Sequence, residues 1–132
     1  MPYINIRLGK TLDADQRQQL YTSTTSLMKN IMKKRAEVTV VHIQEDSANY
    51  WSTNGATLSS DEPVSAYVDI KVTKGTNTPD EKAEMISETI KMLQKEVGAV
   101  QEACYVVIDD IPGNSWGYNG KTQAQRALVS AG

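Results

Sequence analysis

The chain contains one cysteine, Cys104, and one histidine, His42. A lone thiol excludes an internal disulfide. A zinc cluster would have to be built largely from carboxylates, and no ligand spacing suggests one. We therefore expect no metal site and no cofactor. Cations are not in excess either: the formal net charge is −2, without the basic surplus that nucleic acid or an anionic membrane would call for. No apolar run approaches the roughly 18 residues of a membrane span. The first residues lack the charged-then-apolar order of a secretory signal. What is present is an ordinary globular profile of 132 residues, 39% hydrophobic and 23% charged, one domain by length and able to bury a core. The expected setting is a reducing cytoplasm.

The opening stretch, Met1 to Leu8, stands apart from this plain background. Pro2 follows the initiator methionine directly, and compact second residues are those after which that methionine is usually trimmed. Its removal would make Pro2 a terminus with a free secondary amine on a rigid ring. Ile4, Ile6 and Leu8 then alternate with Tyr3, Asn5 and Arg7, the period of a half-buried strand. An amine joined to a core strand is held in place, where most termini fray. The competing reading is an ordinary proline before an ordinary strand.

The rest of the chain says nearly the same thing twice. Tyr3-Ile4-Asn5-Ile6-Arg7-Leu8 returns as Tyr67-Val68-Asp69-Ile70-Lys71-Val72, and Asn49, Trp51 and Asn54-Gly55 return as Asn114, Trp116 and Asn119-Gly120. The offset grows by one residue between these features, which fits an insertion near Gly75-Thr76-Asn77. Each copy reads strand, helix, strand and turn-rich tail. Asp13 with Gln16, and Thr78-Pro79 with Glu81, are helix starts of the capping-box kind. Helix two carries Ile86, Ile90, Leu93 and Val97 on one stripe and ends by Gly98. Helix one has Leu20, Leu27, Met28 and Ile31, with Thr22–Ser26 as a weak centre that tertiary packing must support. The second strands, Val38–Ile43 and Cys104–Ile108, are continuous apolar runs, which suggests central strands covered on both faces.

Two right-handed βαβ units give an α+β fold, a four-stranded sheet with two helices on one face. We expect a single domain over 1–132, made of units at about 2–58 and 65–126. The Ser/Thr-rich stretch from Asn54 to Pro63 joins them. Tyr3, Asn5, Arg7, Tyr67, Asp69 and Lys71 would occupy the uncovered face, with the mixed polarity of a wet subunit interface.

The Met-Pro start, the tandem βαβ units, the Val72-Thr73-Lys74-Gly75-Thr76-Asn77-Thr78 segment and the run from Asp110 to Gly120 through Trp116-Gly117-Tyr118 resemble the tautomerase superfamily. The likeness extends from Pro2 to about Arg126. More narrowly, the chain is similar to fused members in which two 4-oxalocrotonate tautomerase units are joined, a tautomerase fold like that of macrophage migration inhibitory factor. The resemblance implies an isomerase whose N-terminal proline moves a proton in a small enol or keto acid. It also implies a homotrimer, because single-unit members form hexamers. A free α-amine titrates near ~8, and an apolar pocket lowers that value toward neutrality, where general base catalysis is efficient. Only Pro2 can serve, since copy two holds Ser65-Ala66 at the matching place. Copy two thus builds the strand without the proline, and the remaining explanation for Pro2 is chemical. Alternatives are a proline-based hydratase, dehalogenase or decarboxylase, or a non-catalytic trimeric scaffold with the amine blocked. The turn from Ser115 to Asn119 holds no acid to activate water.

Family members commonly hold the substrate carboxylate with arginines at the first loop and on the second strand. Here those places fall near Lys10, Lys74 or Thr76, and near Val40 and Tyr105. Lysine offers a point charge without the guanidinium fork. Lys10 and Lys74 are candidate substrate ligands that also read as solvated loop lysines. Arg35, just before strand two, is the next candidate, although the Lys33-Lys34-Arg35 patch also suits a helix C-terminus. Trp51 and Trp116 are candidate walls that keep water from the amine, or anchors for a hairpin. Tyr105 and Tyr118 are candidate donors to a developing enolate oxygen. His42 and Cys104 read as strand residues.

Overall fold

A computed structural model of the chain describes residues 2–129; Met1, whose removal the sequence leads us to expect, lies outside them. Copy one runs β1 (Tyr3–Leu8), α1 (Ala14–Asn30), β2 (Val40–Glu45) and a hairpin of β3 (Ser52–Thr53) and β4 (Ala56–Thr57). Copy two repeats this as β5 (Ala66–Thr73), α2 (Pro79–Val97), β6 (Tyr105–Ile111) and a hairpin of β7 (Gly117–Tyr118) and β8 (Lys121–Thr122), followed by a short helix α3 (Gln123–Val129).

Both long helices start by one device. The Gln16 amide donates to Asp13 Oδ1 at 2.8 Å and the Asp13 amide to Gln16 Oε1 at 3.1 Å. Thr78 and Glu81 repeat the exchange at 3.1 and 2.9 Å. Orphan amides of the first turn are thereby satisfied. Gly98, with φ 87°, ends α2.

The four strands lie in the order β2-β1-β5-β6. β1 is parallel to β2 and β5 to β6, while β1 and β5 are antiparallel with Tyr3 opposite Lys71, Asn5 opposite Asp69 and Arg7 opposite Tyr67. This join relates the two copies by an approximate two-fold axis through the Asn5–Asp69 pair. Ile4, Ile6, Leu8, Val68, Ile70 and Val72 point into the core with Leu20, Met28, Met85 and Leu93. Each such side chain contributes about 1.5–3 kcal/mol of burial. The repeat extends to ion pairs: Arg17 holds Glu45 at 2.6 Å, and Lys82 holds Asp110 at the matching place in copy two.

The threonine-rich centre of α1 is supported as its composition required. Thr24 is buried with its hydroxyl 3.4 Å from Met92 Sδ. Its counterpart Thr89 is buried too, and returns its hydroxyl proton to the Met85 carbonyl at 2.6 Å.

Two expectations need correction. The core stripe of α2 is rotated toward Met85, Thr89, Met92, Leu93 and Val97, leaving Ile86 39% exposed. The threonine hides its polarity in an intrahelical bond and can therefore face the core. The second strands, moreover, are the edges of the sheet and not its centre. Their apolar residues on the uncovered face stay open: Val40 is 56%, Tyr105 64% and Val107 36% exposed. Between them lie Tyr3, Asn5, Arg7, Tyr67, Asp69 and Lys71, as the strand alternation requires. Lys71 bridges Asp69 at 3.3 Å and Asp109 at 3.1 Å.

Candidate active site

The turns Asn54-Gly55 and Asn119-Gly120 both have two successive positive φ values, 54° and 75° in the first and 52° and 78° in the second. That is the geometry a two-residue hairpin loop favours, and Asn-Gly adopts it at least cost. In copy two the hairpin is anchored at several points. Trp116 Nε1 donates to Thr73 Oγ1 at 3.1 Å, at the end of β5. The Gln123 amide donates to the Trp116 carbonyl at 3.0 Å, and the Ala124 amide to that of Gly113 at 2.9 Å. Arg126 Nη2 donates to the Tyr118 carbonyl at 2.8 Å, with the guanidinium 3.8 Å from the centre of the Tyr118 ring. Its Nε is buried without a partner. Gly117 is indispensable to this packing: a Cβ there would lie 1.9 Å from the Lys121 carbonyl oxygen.

Because β1 and β5 run antiparallel, the end of β5 lies beside the start of β1. The copy-two hairpin therefore meets the copy-one proline. Pro2 is buried and its carbonyl accepts from the Val40 amide at 3.4 Å. A cleft of about 360 Å³ opens there, lined by Pro2, Tyr3, Val38, Val40, Trp116, Gly117 and Tyr118. Among the described residues, no charged side chain is in that lining. Apart from the proline nitrogen, its side-chain polar groups are two phenols and an indole N–H already committed to Thr73.

Of the candidate residues, Pro2, Trp116 and Tyr118 come together. Lys10 lies at the other end of β1, where Nζ donates to the Val97 carbonyl at 3.2 Å. It lines a second cleft of about 500 Å³ with Gly9, Ser65 and the linker residues Leu58 to Pro63. Trp51 belongs to that end also, packed so tightly on Gly9 that a Cβ there would lie 2.9 Å from its Cδ1. Arg35 is exposed and ion-paired with Glu37 at 3.6 Å, three residues before Val38 but outside the lining. Lys74 is exposed directly after Thr73, its amide donating to the Ile111 carbonyl at 2.8 Å. Tyr105 stands on the uncovered face of the far edge strand.

Sequence reasoning missed Tyr3 and Val38 as lining residues. Adjacency to Pro2 was the available signal for Tyr3. For Val38 it was the parallel pairing of Tyr3 with Val40. Lys34, of the Lys33-Lys34-Arg35 patch, is half-buried and lies outside the cleft lining. Burial pushes the Lys34 ammonium below its ordinary value against the opposing fields of Glu81 and Asp110, and Nζ donates to Thr76 Oγ1 at 2.7 Å. Burial likewise raises the Cys104 thiol, only partly offset by a backbone hydrogen bond from Ala66. The thiol lies just before β6, outside the strand the sequence suggested for it, and a thiol raised by burial is no nucleophile.

The pseudo-two-fold sheet of two βαβ units is a fold that this chain shares with solved tautomerase-type and macrophage migration inhibitory factor-like structures. The structure resembles that of a macrophage migration inhibitory factor-like protein from Entamoeba histolytica (TM-score 0.75, 18% identity, covering 92% of this chain and 97% of that one). It also resembles a fused 4-OT solved as an asymmetric trimer (TM-score 0.81, 20% identity, 97% and 99% covered). A third similar structure is Pt0534 inactivated by 2-oxo-3-pentynoate (TM-score 0.81, 16% identity, 94% and 97% covered). The profile described as Tautomerase enzyme matches residues 2–60 and again 67–126; the chain belongs to the tautomerase family, with one family unit in each copy. A curated relative, the probable tautomerase K2 of Dickeya dadantii (strain 3937), is 33% identical over 60 residues, 45% of this chain and 90% of that protein. Family membership supports tautomerase activity in the broad sense. Among the described residues, no helix is long and apolar enough to cross a membrane.

Proposed function

We propose that the chain is a cytoplasmic isomerase, a single domain of two βαβ units, in which Pro2 becomes the catalytic amine once Met1 is removed. The observation that carries this reading is the cleft itself. The buried proline of one copy lies under the Trp116–Tyr118 hairpin of the other. The amine removes a proton from the hydroxyl of a small enol acid, and the ammonium so formed returns a proton to carbon, giving the keto acid with no net change in composition. Apolar walls disfavour the ammonium and draw the amine from its reference value near ~8 toward neutrality. The strand and the pyrrolidine ring hold the nitrogen still, so that less orientation must be found during the reaction. Trp116 excludes water, and the Tyr118 hydroxyl donates to the oxygen where charge develops. Arg35 and Lys74, each close in sequence to a lining residue or its anchor, are the cations available to a carboxylate at the rim. With no carboxylate among the described lining residues, proton transfer fits this cleft better than hydration.

The open face of the sheet supports a homotrimer as the working form, since Val40, Tyr105 and Val107 lie exposed at its two edges. Intact mass of protein isolated from cells should show a chain lacking Met1. Ultraviolet absorbance should then follow turnover of phenylenolpyruvate or 2-hydroxymuconate, and sedimentation should give three times the chain mass. Retained methionine together with inertness toward both compounds would favour the scaffold reading, with the Pro2 nitrogen blocked as an amide.

A further inference from the structure

We propose that Tyr3 is a specificity-determining wall of the Pro2 cleft and that His42 is its positioning residue; the proposal rests on the Pro2 reading above. Tyr3 lines the cleft directly beside the proline. Its hydroxyl does not end there. It reaches across to β2 and lies 3.3 Å from His42 Nδ1. His42 itself is exposed on the open face and takes no part in the cleft lining.

A second group fixes the histidine. Asn5 is 4% exposed, and its Nδ2 lies 3.3 Å from both Nδ1 and the carbonyl oxygen of His42. The orientation of that amide is determined by Arg7, whose Nε donates to Asn5 Oδ1 at 2.7 Å. A guanidinium can only donate, so the atom it meets must be the oxygen, and the nitrogen must face the histidine. The Tyr3 hydroxyl and the Asn5 amide are thus two donors converging on Nδ1. Arg7 is in turn held over the Tyr67 ring, 5.4 Å from its centre. The chain of contacts crosses β5, β1 and β2 and ends at the cleft.

Copy two shows that the fold does not require this arrangement. Tyr67 matches Tyr3, but Val107 stands where His42 would be, and Tyr67 receives the Arg7 guanidinium instead. The same strand pair forms there without the histidine. Only the half that carries the proline has the phenol–imidazole contact, the same asymmetry that marks Pro2. A phenol committed to His42 cannot donate freely to a substrate carboxylate. It offers instead the flat side of a fixed ring to the unsaturated part of the substrate. Releasing it lets the ring turn, which weakens binding of a flat substrate more than it slows proton transfer.

The test is a double-variant cycle with Tyr3→Phe and His42→Ala, each checked for an unchanged sedimentation profile. Either change removes the same hydrogen bond and should raise KM for phenylenolpyruvate about fivefold, with kcat nearly unchanged and the preference over 2-hydroxymuconate reduced. Because both act through one contact, the double variant should be no worse than the worse single one. A merely structural role would lower the melting temperature and leave KM alone, which would overturn the proposal. Losses that multiply in the double variant would overturn it also. Labelling of the Pro2 nitrogen by 2-oxo-3-pentynoate, read by intact mass, separates the two levels of inference. A wild-type chain never labelled and never turning over substrate refutes both, whereas labelling and turnover unaltered by either substitution refute this one alone.

Discussion

Gly117→Ala should damage the cleft while sparing the fold. A Cβ at position 117 would lie 1.9 Å from the Lys121 carbonyl oxygen and 2.7 Å from both the Lys121 carbonyl carbon and Thr122 Cα. All three are backbone atoms of the facing strand, so no side-chain rotation relieves the contact. Contacts of this kind are not seen below 3.0 Å, and β7 and β8 must therefore separate by about 1 Å, an overpacking displacement of about 1–3 kcal/mol. That strain falls on a hairpin outside the main core cluster, so the chain should still melt cooperatively. The same displacement moves Trp116 and Tyr118, which flank position 117 and wall the proline. A misplacement of that size can cost about 100-fold in rate. The assay is kcat/KM for phenylenolpyruvate by absorbance, beside thermal unfolding of the same preparation. Gly9→Ala is the control, because its Cβ would meet the Trp51 side chain at the opposite end of β1. It should alter activity little. Wild-type activity in Gly117→Ala, with normal melting, would refute the assignment of this hairpin to the site.

Leu93→Ala, in the middle of the α2 core stripe, should lose about 2–5 kcal/mol in urea unfolding; a loss under 1 kcal/mol would mean that the helix does not cover the sheet as described. Thr78→Ala should lose about 1 kcal/mol through its capping box, measured the same way. Glu45→Gln tests a titration. Burial pushes the Glu45 carboxyl up, but the Arg17 hydrogen bond, the Leu12 amide and the guanidinium charge together bring it below the ordinary value of 4.5. A carboxyl held lower in the folded chain contributes stability that is present above its unfolded value and is lost as pH falls through the folded one. The variant should therefore be less stable than wild type at neutral pH, and the gap should close in acid below about pH 4.5. A gap independent of pH would contradict the ion pair. Val40→Arg, which puts a fork of donors into the uncharged cleft, should shift preference toward the dicarboxylate 2-hydroxymuconate, read as a ratio of kcat/KM values.

Features fixed by neighbours in the chain were legible in the sequence. The two capping boxes, the Asn-Gly turns and the alternation of β1 and β5 all follow from local chemistry, and the repeat made each visible twice. What was not legible depended on how the copies meet. Val38–Ile43 and Cys104–Ile108 read as buried on both faces, because an apolar run carries no mark distinguishing a central strand from an edge whose second face awaits a partner. The α2 stripe was read through Ile86 and without Thr89, because the bond from the Thr89 hydroxyl to the Met85 carbonyl exists only once the helix has formed. Trp51 and Trp116 were equivalent in sequence, and only the antiparallel join of β1 to β5 assigns Trp116 to the Pro2 end and Trp51 to the other. The same join removes Lys10 from the proline. Pro2 was singled out by its place in the chain and by its absence in copy two, a chemical argument that needed no fold.

The central claim is that the Pro2 nitrogen moves the proton. Its most direct test compares kcat/KM for wild type and Pro2→Ala, both confirmed by intact mass to lack Met1. Alanine keeps a terminal amine but gives up the secondary nitrogen and the rigid ring. A loss of about 100-fold or more, in the range that a positioned acid–base group supplies, with unchanged thermal unfolding, is the predicted result. Equal rates for the two proteins would contradict the account.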